Sequence, residues 1–232
     1  MNKNIFVKWL RSFKSKTYRY FWLFYICSLI GFILETIYAF AVTGRYECRQ
    51  GLIYEPLIPV YGIGALVYDS VLRSMTKSKK YVIFFLGCLI GAFVEFFSSF
   101  AMEYVLGAVS WEYSDSAFNL NGRTNLFYSL LWGLLSLAYV SVILPLFERF
   151  FKTLHKKPIR IISVILAVFL AFDITVSALA VHRNSERVNG IPSQGVVDEF
   201  MDKYFDSDLL SEVYPNMTFT QPHDIQNELS FK

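Results

Sequence analysis

Apolar blocks of about twenty residues divide this chain and constrain its fold more than any other feature. Five such blocks can be delimited in the 232 residues: 20–42, 53–73, 81–106, 125–147 and 159–181. About 20 apolar residues in a helix cross ~30 Å of hydrocarbon, and backbone groups in lipid must bond within their own segment. The pattern therefore predicts an all-α polytopic membrane bundle with about five transmembrane helices.

The composition excludes several other classes of protein. Hydrophobic residues make up 54% of the chain and charged residues only 18%, whereas about 25% of a typical soluble domain is charged. This composition excludes a disordered chain and a nucleic-acid-binding module. The predicted partner is therefore the lipid bilayer, and no nucleic acid is expected to bind.

Basic residues concentrate on one side of the predicted bundle. Fifteen of the 22 Lys and Arg residues precede the first block or lie between the second and third or the fourth and fifth blocks, counting Arg73 and Arg160 at the adjoining block ends. The two opposite loops contain only Arg45, Arg49 and Arg123. Because loops rich in Lys and Arg stay in the cytoplasm, the N-terminus is predicted to lie inside and the C-terminus outside.

The chain is predicted to have three parts. Residues 1–19 form a basic amphipathic segment, either an interfacial helix on the inner leaflet or a frayed basic tail. Residues 20–181 form the transmembrane bundle. Residues 182–232 carry a net charge of −5 and form an acidic extracytoplasmic tail that could cover the outer face of the bundle.

A short internal repeat links two of the blocks. Residues 29–40 and 89–100 share Leu, Ile, Gly, Glu and Phe at positions offset by 60. Helices one and two are therefore predicted to repeat as helices three and four in parallel orientation, a plan known in transporters. Chance similarity between two apolar helices is the alternative.

The second block begins with residues that disfavour a straight helix. Two prolines and two glycines fall within nine residues: Pro56, Pro59, Gly62 and Gly64. Proline removes a helical hydrogen bond, and glycine lowers helix propensity. We expect a broken or re-entrant start to this helix, with a simple kink near the outer surface as the alternative.

Three acidic residues fall at one predicted depth of the membrane. Glu35, Glu95 and Asp173 each lie 14 or 15 residues beyond the inner edge of their block, or roughly 21–23 Å along a helix. Clustered carboxylates in an apolar medium cannot all ionise cheaply. The pattern predicts a layer that binds cations or protons, or else three side chains that only fix helix packing.

The second outer loop contains the other candidate site, formed by Trp111, Asp115, Asn119 and Arg123. Arg123 could bind an anionic substrate group, although pairing with Asp115 or Glu112 is the simpler expectation. The phosphate-binding, zinc-protease and nucleophile-elbow motifs are all absent from the sequence. We therefore expect no enzymatic activity, no catalytic residue, no cofactor and no metal site.

Several short motifs resemble one known family. The first helix contains Gly31-x-x-x-Glu35, and the following loop contains Gly44-Arg45 and Arg49-Gln50-Gly51. The longer matches are Tyr54, Pro56, Pro59, Tyr61 and Gly62, then Trp111, Tyr113, Ser114, Asp115, Phe118, Asn119, Gly122 and Arg123, then Ser129 and Trp132-Gly133, and finally Pro215-Asn216-Met217. With these motifs the chain resembles the bacterial family described as "Putative ABC-transporter type IV", the CmpB-like permeases. Glu55 departs from the family pattern, which usually has a small residue there.

The resemblance implies a function and a location. It implies a permease subunit in the bacterial plasma membrane that works with a separate ATP-binding subunit, and it leaves the substrate unknown. The residues alone also allow a non-transporting membrane scaffold or sensor that acts through its outer loop and tail. A homo-oligomer is possible in either case.

Overall fold

The computed structural model describes residues 3–153 and 157–220, with side chains for 16–152 and 159–220. Within these ranges the helices are α1 Lys3–Thr43, α2 Pro59–Leu72, α3 Lys80–Leu106, α4 Leu126–Ala138, α5 Leu144–Thr153, α6 Lys157–Val188, α7 Val196–Tyr204 and α8 Ser207–Val213. The strands of the described chain are β1 Ala108–Val109, β2 Asn119–Leu120, β3 Thr124–Asn125 and β4 Thr218–Phe219. The predicted amphipathic face of residues 4–13 lies outside the described side chains.

The described helices confirm the all-α membrane class. Four of them are long and apolar enough to cross a membrane: Lys16–Thr43, Lys80–Leu106, Leu126–Lys152 and Ile159–Val188. The helix of the second predicted block, α2, has 14 residues and is therefore about 21 Å long, shorter than the ~30 Å hydrocarbon core. The number of crossings and their direction remain predictions.

The broken start of the second block is confirmed. Residues 51–58 are not helical, and α2 begins at Pro59, where a proline at the first helical position costs no hydrogen bond. Backbone hydrogen bonds hold the irregular segment in place. The Gly51 amide donates to the Leu57 carbonyl at 2.8 Å. The Ile58 amide donates to the carbonyl of Ser28 in α1 at 3.1 Å.

The bundle is built from two helix pairs. Helix α1 packs along α2, α3 packs along α4, and α2 joins the two pairs by contacting α3. In each pair the two helices approach closely at a glycine. Gly31 of α1 lies against the ring of Tyr61, and Gly91 of α3 lies against the side chain of Trp132. A Cβ at either glycine would overlap the aromatic residue, so a small residue permits the close approach.

Helices α4 and α5 form one rod interrupted by a π-helical turn. The turn covers Tyr139–Ile143, and the amide of Leu144 donates to the Tyr139 carbonyl five residues earlier. Pro145 follows directly and, lacking an N–H, cannot bond to Ser141 as an α-helix requires. The wider turn lets the rod continue past the proline.

The described part of the tail packs against one end of the bundle. Helix α6 continues past the predicted boundary at residue 181 as far as Val188. Strand β4 pairs antiparallel with β1, which directly follows α3. Apolar residues of α7 and α8 bury the end of α6 in a small core that includes Ala180, Val181, Met201, Phe205 and Leu210. We call this the tail end, and the opposite end, which carries Arg19, Arg73 and Glu148, the basic end.

Candidate functional site

Glu35 of α1 lies at the contact with α2, within the first helix pair. It follows Gly31 by one helical turn, and Gly31 admits the ring of Tyr61 from α2. This packing brings the Tyr61 hydroxyl to the carboxylate, where it donates to Glu35 Oε1 at 2.5 Å. Glu35 is thus held by an uncharged donor from the neighbouring helix.

Glu95 of α3 occupies the corresponding place in the second pair. It is buried and follows Gly91 by one turn, and Gly91 packs against the side chain of Trp132 of α4. The Thr124 hydroxyl donates to Glu95 Oε2 at 2.7 Å, and the Tyr113 hydroxyl donates more weakly to Oε1 at 3.4 Å. The outer loop is therefore anchored on a carboxylate of the bundle.

Aromatic side chains join the two carboxylates into one site. The rings of Tyr61 and Trp132 stack with centroids 5.5 Å apart, so the aromatic residues that pack on Gly31 and Gly91 touch each other. Glu35 and Glu95 are close enough to interact electrostatically. We call these four residues the carboxylate–aromatic site.

The charges of this site are not neutralised by a base. Among the described residues, the hydrogen-bond partners of Glu35 and Glu95 are the hydroxyl groups of Tyr61, Thr124 and Tyr113, and neither carboxylate forms an ion pair with Lys or Arg. Two interacting carboxylates in such surroundings favour taking up a proton or a cation.

Asp173 lies elsewhere, against the irregular segment before α2. Its side chain is fully buried and accepts hydrogen bonds from the backbone amides of Tyr54 at 3.2 Å and Glu55 at 2.7 Å. The Ser177 hydroxyl, one turn further along α6, donates to it at 3.1 Å. The structure thus brings Glu35 and Glu95 together and places Asp173 beside Glu55, because equal depth does not determine which neighbour a helix face meets.

Arg123 pairs with a residue that the sequence did not suggest. Its guanidinium forms a salt bridge with Glu103 of α3 and lies over the Phe100 ring, 5.5 Å from the centroid. The expected pairing with Asp115 or Glu112 is therefore wrong. Arg123 is buried at the tail end, where its backbone enters β3 and directs the side chain onto α3.

The other predicted loop residues hold the loop in shape or face solvent. The Trp111 indole donates to the Arg123 carbonyl at 2.9 Å. The Asn119 amide donates to Ser116 at 2.8 Å, and its oxygen accepts from the Gly122 amide at 3.0 Å, closing the turn between β2 and β3. Asp115 is exposed.

A buried ion pair at the basic end was missed in the sequence. The Arg19 guanidinium donates to both oxygens of Asp69, at 2.8 and 2.9 Å, and the Tyr139 hydroxyl donates to Asp69 Oδ1 at 2.7 Å. Glu148 accepts from Arg19 at 2.8 Å and from Arg73 at 2.9 Å. Asp69 is an acidic residue four positions inside the inner edge of the second apolar block, and Arg19 lies one position outside the first, so counting depths would have placed them within reach of a long arginine side chain.

The described residues contain no group of three or more His, Cys, Asp or Glu side chains that could hold a metal ion. Their functional chemistry rests on paired carboxylates, buried Arg–carboxylate pairs and aromatic donors.

This fold and these buried charges define a helical integral membrane protein. The chain belongs to the family described as "Putative ABC-transporter type IV", whose sequence profile matches residues 22–178. The match covers Glu35, Glu95, Asp173 and the outer loop, and it ends before α7 and α8. No curated protein and no solved structure matches the chain significantly.

Proposed function

We propose that the chain is the membrane-embedded permease subunit of a transporter and that Glu35 and Glu95 form its ionisable binding site. The family and the apolar helices support transport as the class of function. The observation that carries the proposal is the carboxylate–aromatic site, in which two interacting carboxylates meet only uncharged donors.

The proposed ligand of this site is a proton or a small cation. A carboxylate within a membrane span costs at least ~2.5 kcal/mol on insertion scales, which favours a functional role for two of them at one place. Glu35 belongs to the α1–α2 pair and Glu95 to the α3–α4 pair. Binding or release of a positive charge between them would change how strongly the two pairs attract each other, and this coupling is what a transport cycle requires.

Paired contacts support the proposed parallel repeat. In the first pair Gly31 meets Tyr61 and Glu35 follows one turn later; in the second pair Gly91 meets Trp132 and Glu95 follows one turn later. The glycine after each aromatic residue also meets equivalent side chains offset by 60: Gly62 meets Phe24 and Ser28, and Gly133 meets Phe84 and Cys88. The carboxylate–aromatic site would then be a duplicated half-site on a pseudo-twofold axis.

The carboxylates are tested by ligand-dependent stability. We expect Glu35→Gln and Glu95→Gln each to reduce the stabilisation of the purified protein by Na⁺, K⁺ or lowered pH, measured as the shift in thermal unfolding temperature. Glu112→Gln is the matched control, because Glu112 is an exposed carboxylate of the outer loop that bonds to Ser114. Unchanged responses in both site variants would leave these residues with a packing role only.

The proposed partners are a separate ATP-binding subunit and further copies of this chain. The family description supports the first, and the cell membrane is the location it implies. Purification from the native host in mild detergent, followed by mass spectrometry, tests both partners. A stoichiometric ATP-binding subunit would support the ABC mechanism, whereas recovery of this chain alone would contradict it.

The proposed orientation places the N-terminus in the cytoplasm and the tail outside. Single cysteines at Thr76 and Ser193, both exposed, can test it in a variant in which Cys48 is replaced by serine. A membrane-impermeant thiol reagent added to intact cells should label position 193 and not position 76. The reverse labelling would invert the topology.

A sensor or scaffold function is the second candidate, and the docked tail favours it. Helix α7 exposes Val196 and Phe200 on the outer side of the small tail core, a surface suited to a partner. Deletion of residues 190–232 distinguishes the two functions. Ligand-dependent stabilisation should survive the deletion if the bundle is the transporter, whereas loss of cellular function with an intact bundle would favour the tail as the active part.

A further inference from the structure

A second pair of buried carboxylates lies outside the carboxylate–aromatic site. Glu55 of the irregular segment is 4% exposed and Asp173 of α6 is 0% exposed. The Tyr25 hydroxyl of α1 donates to Glu55 Oε1 at 2.8 Å. The other oxygen, Glu55 Oε2, is buried without a hydrogen-bond partner among the described residues.

The two carboxylates have unequal surroundings. Asp173 accepts hydrogen bonds from two backbone amides and from Ser177, and such donors favour the ionised form of a carboxylate. Glu55 has a single hydroxyl donor and feels the negative charge of Asp173. Burial and a neighbouring negative charge both favour the neutral form of Glu55.

No basic group compensates this pair within the described chain. The titratable groups that face it are Tyr25 from α1 and Tyr214, which follows α8 and interacts electrostatically with Asp173. Neither Glu55 nor Asp173 forms an ion pair with a described Lys, Arg or His. An isolated buried charge is costly, and a second one beside it costs more.

We infer that Glu55 and Asp173 form a proton-binding site, with the proton carried by the buried, unpartnered Oε2 of Glu55. A proton on Oε2 removes the charge from a buried carboxylate whose second oxygen has no hydrogen-bond partner among the described residues. This site does not depend on the proposed transport function.

The proton would control how the irregular segment attaches to α6. The amides of Tyr54 and Glu55 fasten the segment to Asp173, and the Ile53 amide donates to Ser177 at 3.0 Å. Loss of the proton would place a second negative charge beside Asp173 and weaken this attachment. The irregular segment would therefore be attached to α6 when Glu55 is neutral and released when Glu55 is ionised.

Infrared spectroscopy of the purified full-length protein tests the proton directly. We expect absorption by protonated carboxylic acids at pH 7, of which the component from Glu55 is lost in Glu55→Gln and retained in Glu112→Gln. The glutamine variant mimics the neutral acid in shape, so it should fold. If this absorption persists unchanged in Glu55→Gln, Glu55 is ionised at pH 7 and the proposal fails.

The pH dependence of stability gives a second readout. The folded protein holds this proton more tightly than the unfolded chain, so the folding equilibrium constant should fall by up to ~10-fold per pH unit above the ordinary range of glutamate. Glu55→Gln should remove that share of the slope, and Glu112→Gln should keep it. An equal slope in Glu55→Gln and wild type would overturn the proposal. The proposal would also fail if Na⁺ stabilised the wild-type protein at fixed pH and Glu55→Gln lost that stabilisation, because the site would then bind a metal ion.

Discussion

Replacing Asp69 by asparagine tests how strongly the basic end is held. Arg19 and Asp69 are 6% and 3% exposed and joined by two hydrogen bonds, with a third to Asp69 from Tyr139. The substitution keeps the shape of the side chain and removes its charge. Arg19 is then left with Glu148, whose side chain is 36% exposed and is shared with Arg73.

The expected loss follows from leaving a buried arginine without its main partner. Breaking a buried ion pair on one side costs ~3–5 kcal/mol, and the remaining contact with Glu148 favours the lower part of that range. We therefore expect the free energy of unfolding to fall by about 3 kcal/mol. For a chain of this size the thermal midpoint should fall by roughly 6–12 °C, at ~2–4 °C per kcal/mol.

Thermal unfolding in lipid nanodiscs, followed by tryptophan fluorescence, measures the change. Glu148→Gln is the control and should cost no more than about 1 kcal/mol, because its side chain is partly solvated. The double variant Arg19→Met with Asp69→Leu removes both buried charges and should recover part of the loss. A midpoint for Asp69→Asn within ~1 °C of wild type, or a double variant less stable than Asp69→Asn, would refute this reasoning.

Two further predictions concern packing and pH. Gly91→Ala should lower the free energy of unfolding by ~1–3 kcal/mol because its methyl group overlaps Trp132. Gly195→Ala, with open space around it, should cost only about 0.5 kcal/mol in the same thermal assay, the difference between glycine and alanine at the N-cap of α7. Hydrogen bonds from Arg183 lower the pKa of the Asp202 carboxyl below its ordinary value. Attachment of α7 should therefore be complete above the ordinary aspartate pKa of ~3.9 and be lost as the pH falls through the lower pKa of Asp202 in the folded protein. The rate of hydrogen exchange in α7 should rise in that pH range. Asp202→Asn should show the faster exchange already at neutral pH.

The helices were predictable where length and apolarity decide them. The blocks 81–106 and 159–181 correspond to α3 and α6, since an apolar run of this length has few alternatives to a helix in lipid. The block 53–73 yielded the shorter α2, and its prolines had signalled the irregular start. The end of α6 was underestimated because its last turns are polar and packed by the tail, so hydropathy alone stops too early.

The site was predictable only in part. The sequence gives the depth of a residue in the membrane, but it does not show which neighbouring segment the side chain faces. Glu35 and Glu95 follow their glycines by one turn, so the motif that lets a neighbouring helix approach also brings its donor. Asp173 shares their depth, but its helix face meets backbone amides of an irregular segment whose path no periodicity indicates. Arg123 likewise follows the turn between β2 and β3, which turns it away from Asp115 and onto α3.

The π-helical turn keeps both halves of the α4–α5 rod facing the same neighbours. Each residue of an α-helix rotates the chain by ~100°, so Tyr139 and Phe147 would lie about 80° apart around a regular helix. The wide turn absorbs one residue and leaves them about 20° apart, and both are buried in the main core beside Arg19. A chain shortened by one residue at Ser141 would restore the α-helical register without moving either side chain off the core, but it would set the Pro145 ring against the carbonyl four residues earlier, a clash that the wide turn avoids.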